Sequence, residues 1–320
     1  MASVLGQTFK DFEVILVDDG STDGISPGKC DEYAEKDERV RVIHKENGGL
    51  ISAWTNGLVE SKGDYVSFLD SDDWIELQMM EELYKLTDSA FKESEIISGN
   101  YIVEKAGERR KETQALAPGV YKGTSLDDIR THLLGDEVRP VTMSRCMKLI
   151  SRKLILDNIK YCDPSIEMSE DVNIMLPCLC DLKRLVIADG AYFYHYRLVA
   201  ESMAHAYNPK LLANLELTDK TFREILKEKN ISTADEQMDR EFIMILLVIM
   251  KNQLRCTDGD TLKRVREIFL RPDIREKIVS TKVSISGTAN KLLYHTMKHP
   301  GAVNVAVMKL ILNAYDRKTN

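Results

Sequence analysis

The stretch GDYVSFLDSDDW, residues 63–74, decides how the chain is read. Tyr65-Val66-Ser67-Phe68-Leu69 has the composition of a buried strand, and it runs straight into Asp70, Asp72 and Asp73. Carboxylates that close repel one another, and each is costly near a core unless a cation answers it. The aspartates therefore either cap the next helix or hold a metal ion. Asp73 is placed to cap a helix starting at Trp74, which the pattern of WIELQMMEELYKLTDSA continues.

Upstream, FEVILVDDG is an apolar run ending in Asp18-Asp19-Gly20. CDEYAEKDE then reads as a polar helix, RVRVIHKE alternates with period two, and LISAWTNGLVESKG is helix-like. SEIISGNYIVEK follows the acidic stretch as a further strand. Alternation of strand and helix predicts an α/β fold, a mainly parallel sheet with helices on both faces. Ligands of such sheets bind outside the carboxyl ends of the strands, where both acidic clusters fall. Residues 106–170 are less regular. GERRKE is a charged turn, and SRCMKLISRKLILDNI a strand or loop feeding a helix. MSEDVNIMLPCLCDL opens an apolar helix on Ser169-Glu170-Asp171, and RLVIADGAYFYHYR reads as a strand. From residue 207 the patterns are helical, so two regions are expected, 1–206 and 207–320.

The chain has 320 residues, 43 % of them hydrophobic and 30 % charged, as expected of a soluble protein with a sizeable core. A net charge of −7 gives no basic face for nucleic acid. No apolar run reaches the ~18 residues of a membrane span, and the first residues lack the pattern of a signal peptide. Six cysteines without a C-x-x-C spacing read as reduced thiols of a cytoplasmic protein.

QTFKDFEVILVDDGSTD, NGGLISA, GDYVSFLDSDDW, SEDVNI and YFYHYR, in that order over residues 3–203, resemble the family 2 glycosyltransferases, an inverting group with the GT-A fold. The resemblance implies a Rossmann-like mixed sheet flanked by helices, here followed by a C-terminal helical region. It also implies roles for particular residues. Asp19 matches the acid that contacts uracil, with Asp18 shaping the loop. Gly48 and Gly49 match the loop under the donor sugar and phosphates. Asp70-Ser71-Asp72 matches the DXD motif, with Asp72 touching Mn²⁺ or Mg²⁺ and Asp70 reaching the ribose, or the metal through water. Asp171 matches the catalytic base, beside Glu170. Relatives carry an arginine after the glycines, where this chain has Ala53-Trp54-Thr55-Asn56. Arg197 is a candidate to replace it, His195 reads as a packed histidine, and His205 is a candidate metal ligand. Relatives also open with a strand and uracil-binding loop, whereas this chain starts inside the helix that follows. An N-terminally truncated domain is therefore expected.

Passing a sugar from a nucleotide diphosphate to a hydroxyl needs a cation for the leaving group, a carboxylate base and a nucleotide pocket. The resemblance implies a nucleotide-sugar donor, UDP-linked, and a glycan or lipid-linked acceptor in bacterial cell-surface polysaccharide synthesis. Three alternatives are weaker. A phospho-receiver module needs only ~120 residues and leaves SEDV and the tyrosine-rich strand without a place. A nucleotidyltransferase wants a Gly-rich basic phosphate loop, which is not seen. A truncated or degenerate member could serve as a binding or scaffold subunit. The apolar tail is open to core packing, to peripheral contact with the inner face of the membrane, and to a homodimer interface.

Overall fold

The computed structural model describes residues 1–105, 107–166, 168–198 and 207–319. The candidate His205 and the segment just before the expected boundary at 206 lie outside the described residues.

Nine strands are formed: β1 (Val14–Asp18), β2 (Val40–His44), β3 (Tyr65–Val66), β4 (Trp74–Ile75), β5 (Glu95–Lys105), β6 (Glu108–Glu112), β7 (Gly119–Lys122), β8 (Lys148–Ser151) and β9 (Arg184–Arg197) among the described residues. Between and before them run α1 (Ala2–Leu5), α2 (Ser26–Lys36), α3 (Gly49–Glu60), α4 (Met79–Tyr84), α5 (Thr124–Arg130), α6 (Arg152–Asn158) and α7 (Glu170–Asp181). The rest is helical: α8 (Lys210–Glu228), α9 (Ala234–Arg255), α10 (Thr261–Leu270), α11 (Pro272–Ser280), α12 (Thr288–Lys298) and α13 (Ala302–Thr319).

β1 and β2 pair in parallel as a sheet of their own, with Asp18 opposite His44. The other seven strands form a mixed sheet in the order β3-β8-β5-β9-β4, with β6 on β5 and β7 on β9. The expectation of a mainly parallel arrangement is corrected here. Within this sheet only β5 and β9 run parallel, and every other pairing is antiparallel. Strand–helix alternation does not reveal this, because β5 folds back on β6 through a hairpin and short β8 enters between β3 and β5 in the opposite sense.

Two local expectations also change. The strand read over residues 65–69 keeps ladder pairing only through Val66, after which Phe68 makes a single bridge to Cys146. Trp74 begins β4, not a helix, so Asp73 caps nothing there; the helix starts at Met79. Trp74 and Ile75 pair with His195 and Tyr194, and the Trp74 ring stacks on His195 at 5.0 Å. That contact, made to residues far along the chain, overrides the local helical pattern.

β5 is buried on both faces from Glu95 to Asn100, as a central strand must be. Ile97, Leu149, Val186, Ala188 and Tyr194 make the core beneath the site, with Phe68 and Leu69 packed against it. All six cysteines are free. Among the described residues no helix is long and apolar enough to cross a membrane. The chain divides into two compact units, residues 1–130 with 141–197, and residues 131–140 with 198–320.

Candidate active site

Among the described residues, every sequence-derived site residue lies in the first unit. β1 ends on Asp18, and Gly20 turns the chain with φ +74°; a Cβ there would approach the Asn47 amide nitrogen to 2.7 Å. The turn sends its two carboxylates different ways. Asp18 is buried, accepts from the Ser21 amide (3.0 Å) and meets His44 Nδ1 (2.8 Å). Those bonds from Ser21 and His44 hold its carboxyl down to about 2. Asp19 instead accepts from the Gly48 amide (3.0 Å), the Gly49 amide (2.7 Å) and Lys45 Nζ (2.5 Å). Burial works against its ionisation, but Lys45 and the two amides outweigh that and keep its carboxyl below the ordinary range. Asp19 thus caps the start of α3 from another element, on the side where the helix dipole favours an anion.

α3 carries Trp54, which meets Phe68 edge-on with ring centroids 6.1 Å apart. The Arg145 guanidinium lies over the same Phe68 ring, 6.0 Å from its centroid. Phe68 therefore links the helix that starts at the glycine pair to the residues around Asp70. Among the described residues no hydrogen bond or ion pair joins the Asp18–Asp19 group directly to the Asp70–Asp171 group.

The three aspartates of the opening stretch have three different environments. Asp73 is buried, accepts from the Tyr194 hydroxyl (2.5 Å) and from the Arg197 amide (2.8 Å), and so fastens the loop to β9. Asp72 is exposed. Asp70 takes Arg145 Nη2 on Oδ1 and the Cys146 thiol on Oδ2 (3.7 Å). Burial raises the Asp70 carboxyl, Arg145 opposes that rise, and Asp171 and Asp72 add to it.

Arg145 also donates from Nη1 to Asp171 Oδ1 at 2.5 Å. Its side chain is only 6 % exposed, while those of Asp70 and Asp171 are 39 % and 34 % exposed. One buried guanidinium therefore lies under two carboxylates that open to solvent. Asp171 stands in the first turn of α7, two residues after its N-cap Ser169, whose φ is +66°. Met147, two residues after Arg145, has φ +52°. Left-handed backbone at non-glycine residues costs energy and persists only where packing imposes it. It occurs here on both segments that meet at the ion pair. Lys148 is fully buried and gives Nζ to the Ser144 carbonyl (2.6 Å); burial pushes its ammonium down to about 7.

Arg145 and Lys148 were not singled out from the sequence. The available signal was the acid cluster itself, which demanded a cation without saying where in the chain it comes from. Arg197 is exposed, with its guanidinium 5.3 Å from the Trp74 ring centroid. His195 is buried between Glu104 (2.8 Å) and Glu76 (3.0 Å).

Among the described residues no group of three or more His, Cys, Asp or Glu side chains is ready to hold a metal. Asp70 and Asp72 still fit a hard divalent ion that draws its remaining oxygens from a diphosphate and water, the usual habit of such ions.

Residues 1–155 match the family model described as glycosyl transferase family 2. The putative glycosyltransferase EpsH of Bacillus subtilis is 25 % identical over 289 residues, covering 88 % of this chain and 81 % of EpsH. Glycosyltransferases GlyA and GlyG of Streptococcus pneumoniae are 44 % and 43 % identical over 99 residues, 31 % of this chain. Those matches span 14 % of GlyA and 32 % of GlyG. Crystal structures of S. aureus TarS 1–349 with UDP and with UDP-GlcNAc superpose with TM-scores of 0.58 and 0.61, at 17 % and 16 % identity. Each covers 99 % of this chain and 86 % of the TarS chain. The fold is of the GT-A kind, a mixed sheet flanked by helices, with helices after it.

Proposed function

We propose that the chain is a family 2 glycosyltransferase, the family whose model its residues 1–155 match, and that it moves a sugar from a UDP-sugar to a hydroxyl of a glycan or lipid-linked acceptor, with inversion, in the synthesis of a surface polysaccharide. The observation that carries this reading is the Asp70–Arg145–Asp171 bridge, which sets a donor-side acid and a candidate base on one cation. TarS, the structural neighbour, has been seen with UDP and UDP-GlcNAc, which supports a UDP-sugar as the donor class.

Asp171 accepts the proton of the acceptor hydroxyl. The hydroxyl oxygen forms its bond to the anomeric carbon on the face opposite the nucleotide. The bond from that carbon to the phosphate oxygen breaks, and UDP leaves with the electron pair. Asp72, with Asp70 beside it, would hold Mg²⁺ or Mn²⁺, which would supply charge neutralisation at the diphosphate. Asp19 and the Gly48-Gly49 turn frame the nucleotide end of the site, and Asp18 fixes the turn that presents Asp19.

Calorimetric titration of UDP tests this, first with Mn²⁺ and then with EDTA. Binding that requires Mn²⁺ and weakens at least ~10-fold in Asp72→Ala, the loss of about 1.4 kcal/mol, is the expected result. Equal binding in EDTA and in the variant overturns the metal role. Folded protein that binds no UDP in either condition overturns the donor.

A further inference from the structure

Arg145 is not explained by the need to neutralise a core. A structural cation this deeply buried normally pairs with groups that are themselves buried, as Arg184 does with Glu95. Arg145 instead turns both terminal nitrogens toward half-exposed carboxylates on separate elements. The rigid fork of a guanidinium can hold two carboxylates at fixed separation, which an ammonium cannot do. It takes Oδ1 of Asp171 and Oδ1 of Asp70. Among the described residues Asp171 Oδ2 has no hydrogen bond, so one oxygen of that carboxylate is fixed and the other is open.

Resting on the reading of Asp171 as the base, we propose that Arg145 is the positioning residue of this site. It sets the rotation of the Asp171 carboxylate so that Oδ2 faces the acceptor hydroxyl, and it ties that carboxylate to Asp70 so that the base is held in register with the donor. Arg145 touches neither donor nor acceptor. The backbone around it is built for this task. The left-handed turns at Met147 and Ser169 bring the two ends of the ion pair together, and Lys148 fastens the Arg145 segment from below through the Ser144 carbonyl.

The test pairs UDP calorimetry with release of UDP from UDP-glucose, UDP-galactose and UDP-GlcNAc, with water as the acceptor. Arg145→Met and Arg145→Lys are compared with the wild type, and thermal melts confirm folding. Arg145→Met is expected to lose ~100-fold in kcat, the scale of a misplaced catalytic group, while its UDP Kd stays within ~5-fold. Arg145→Lys keeps the charge, loses the fork and recovers kcat to about 10-fold below wild type. Wild-type kcat in either variant overturns the proposal. So does a parallel loss of kcat and UDP affinity, which would make Arg145 a donor-binding group. Should Arg145→Met fail to fold, Arg145→Lys decides by the same two criteria. A wild-type protein that neither binds UDP nor releases it overturns the transferase reading itself, and this proposal with it.

Discussion

Lys148 has no solvent exposure, and burial brings its ammonium from 10.5 down to about 7. Between those values the unfolded chain holds a proton that the folded chain lacks. Stability therefore rises as pH rises from 7 to 10.5, and the full penalty applies at and below pH 7. Lys148→Met removes the charge and keeps the volume. The variant is expected to be more stable than wild type at pH 7 by about 1–4 kcal/mol, with the gap closing toward pH 10. Urea melts at the two pH values check this; no gap at pH 7, or a gap that widens toward pH 10, refutes it. At this scale the sequence was legible where an acid stood at the end of a regular element. The Asp18–Asp19 and Asp70–Asp73 clusters stand out that way as candidates, whereas Asp171, at a helix start, is marked only by the family resemblance. Arg145 does not stand out, because SRCMK carries no periodic pattern and its partners lie 75 and 26 residues away.

Helix α3 begins on a glycine pair with no side-chain cap from its own N-cap residue, Gly48. Asp19, at the end of another element, accepts the first amides instead. Asp19→Ala is expected to cost about 1–2 kcal/mol, typical of a lost helix cap, and Asp19→Asn less, since its side-chain oxygen still accepts. Thermal unfolding followed by circular dichroism separates the two variants; equal melting of wild type and Asp19→Ala would show that water caps the helix as well. The long elements were readable because their patterns are local: β5, β9, α3 and α7 stand where apolar runs and polar flanks placed them. The short strands were not. β4 consists of two residues whose state is set by pairing with β9, and its own neighbourhood favours a helix. Parallel or antiparallel sense was hidden for the same reason, since it depends on which distant strand comes alongside.

The second unit is built from two separate pieces of chain, 131–140 and 198–320. The short piece is not decoration. Buried Glu241 accepts from the Gly135 amide (2.8 Å) and from Arg139 Nη2 (2.5 Å), and Gln237 accepts from the Leu134 amide (2.9 Å). Leu133 and Leu134 are fully buried. A single boundary near residue 207 suits the change in composition, yet THLLGDEVRP has too little pattern to announce where it packs. Residues 207–320 alone would leave Glu241 without partners, a loss of about 3–5 kcal/mol. That fragment is expected to melt at lower temperature and less cooperatively than the same fragment with 131–140 joined by a linker. Matching melts would show that the short piece contributes nothing.

Glu137 gives the same arrangement a consequence in time. Its carboxylate accepts from the Ser286 and Gly287 amides and from the Ser286 and Asn290 side chains, 149 to 153 residues further along. On a ribosome adding ~5–20 residues per second, Glu137 emerges on the order of 10 s before those partners exist. For the first part of that interval, until α8 and α9 are made, Leu133 and Leu134 have nothing of their own unit to bury against. The nascent chain thus carries a short apolar segment that a chaperone can hold, and Glu137 finds its partners only once residues 286–290 have been made.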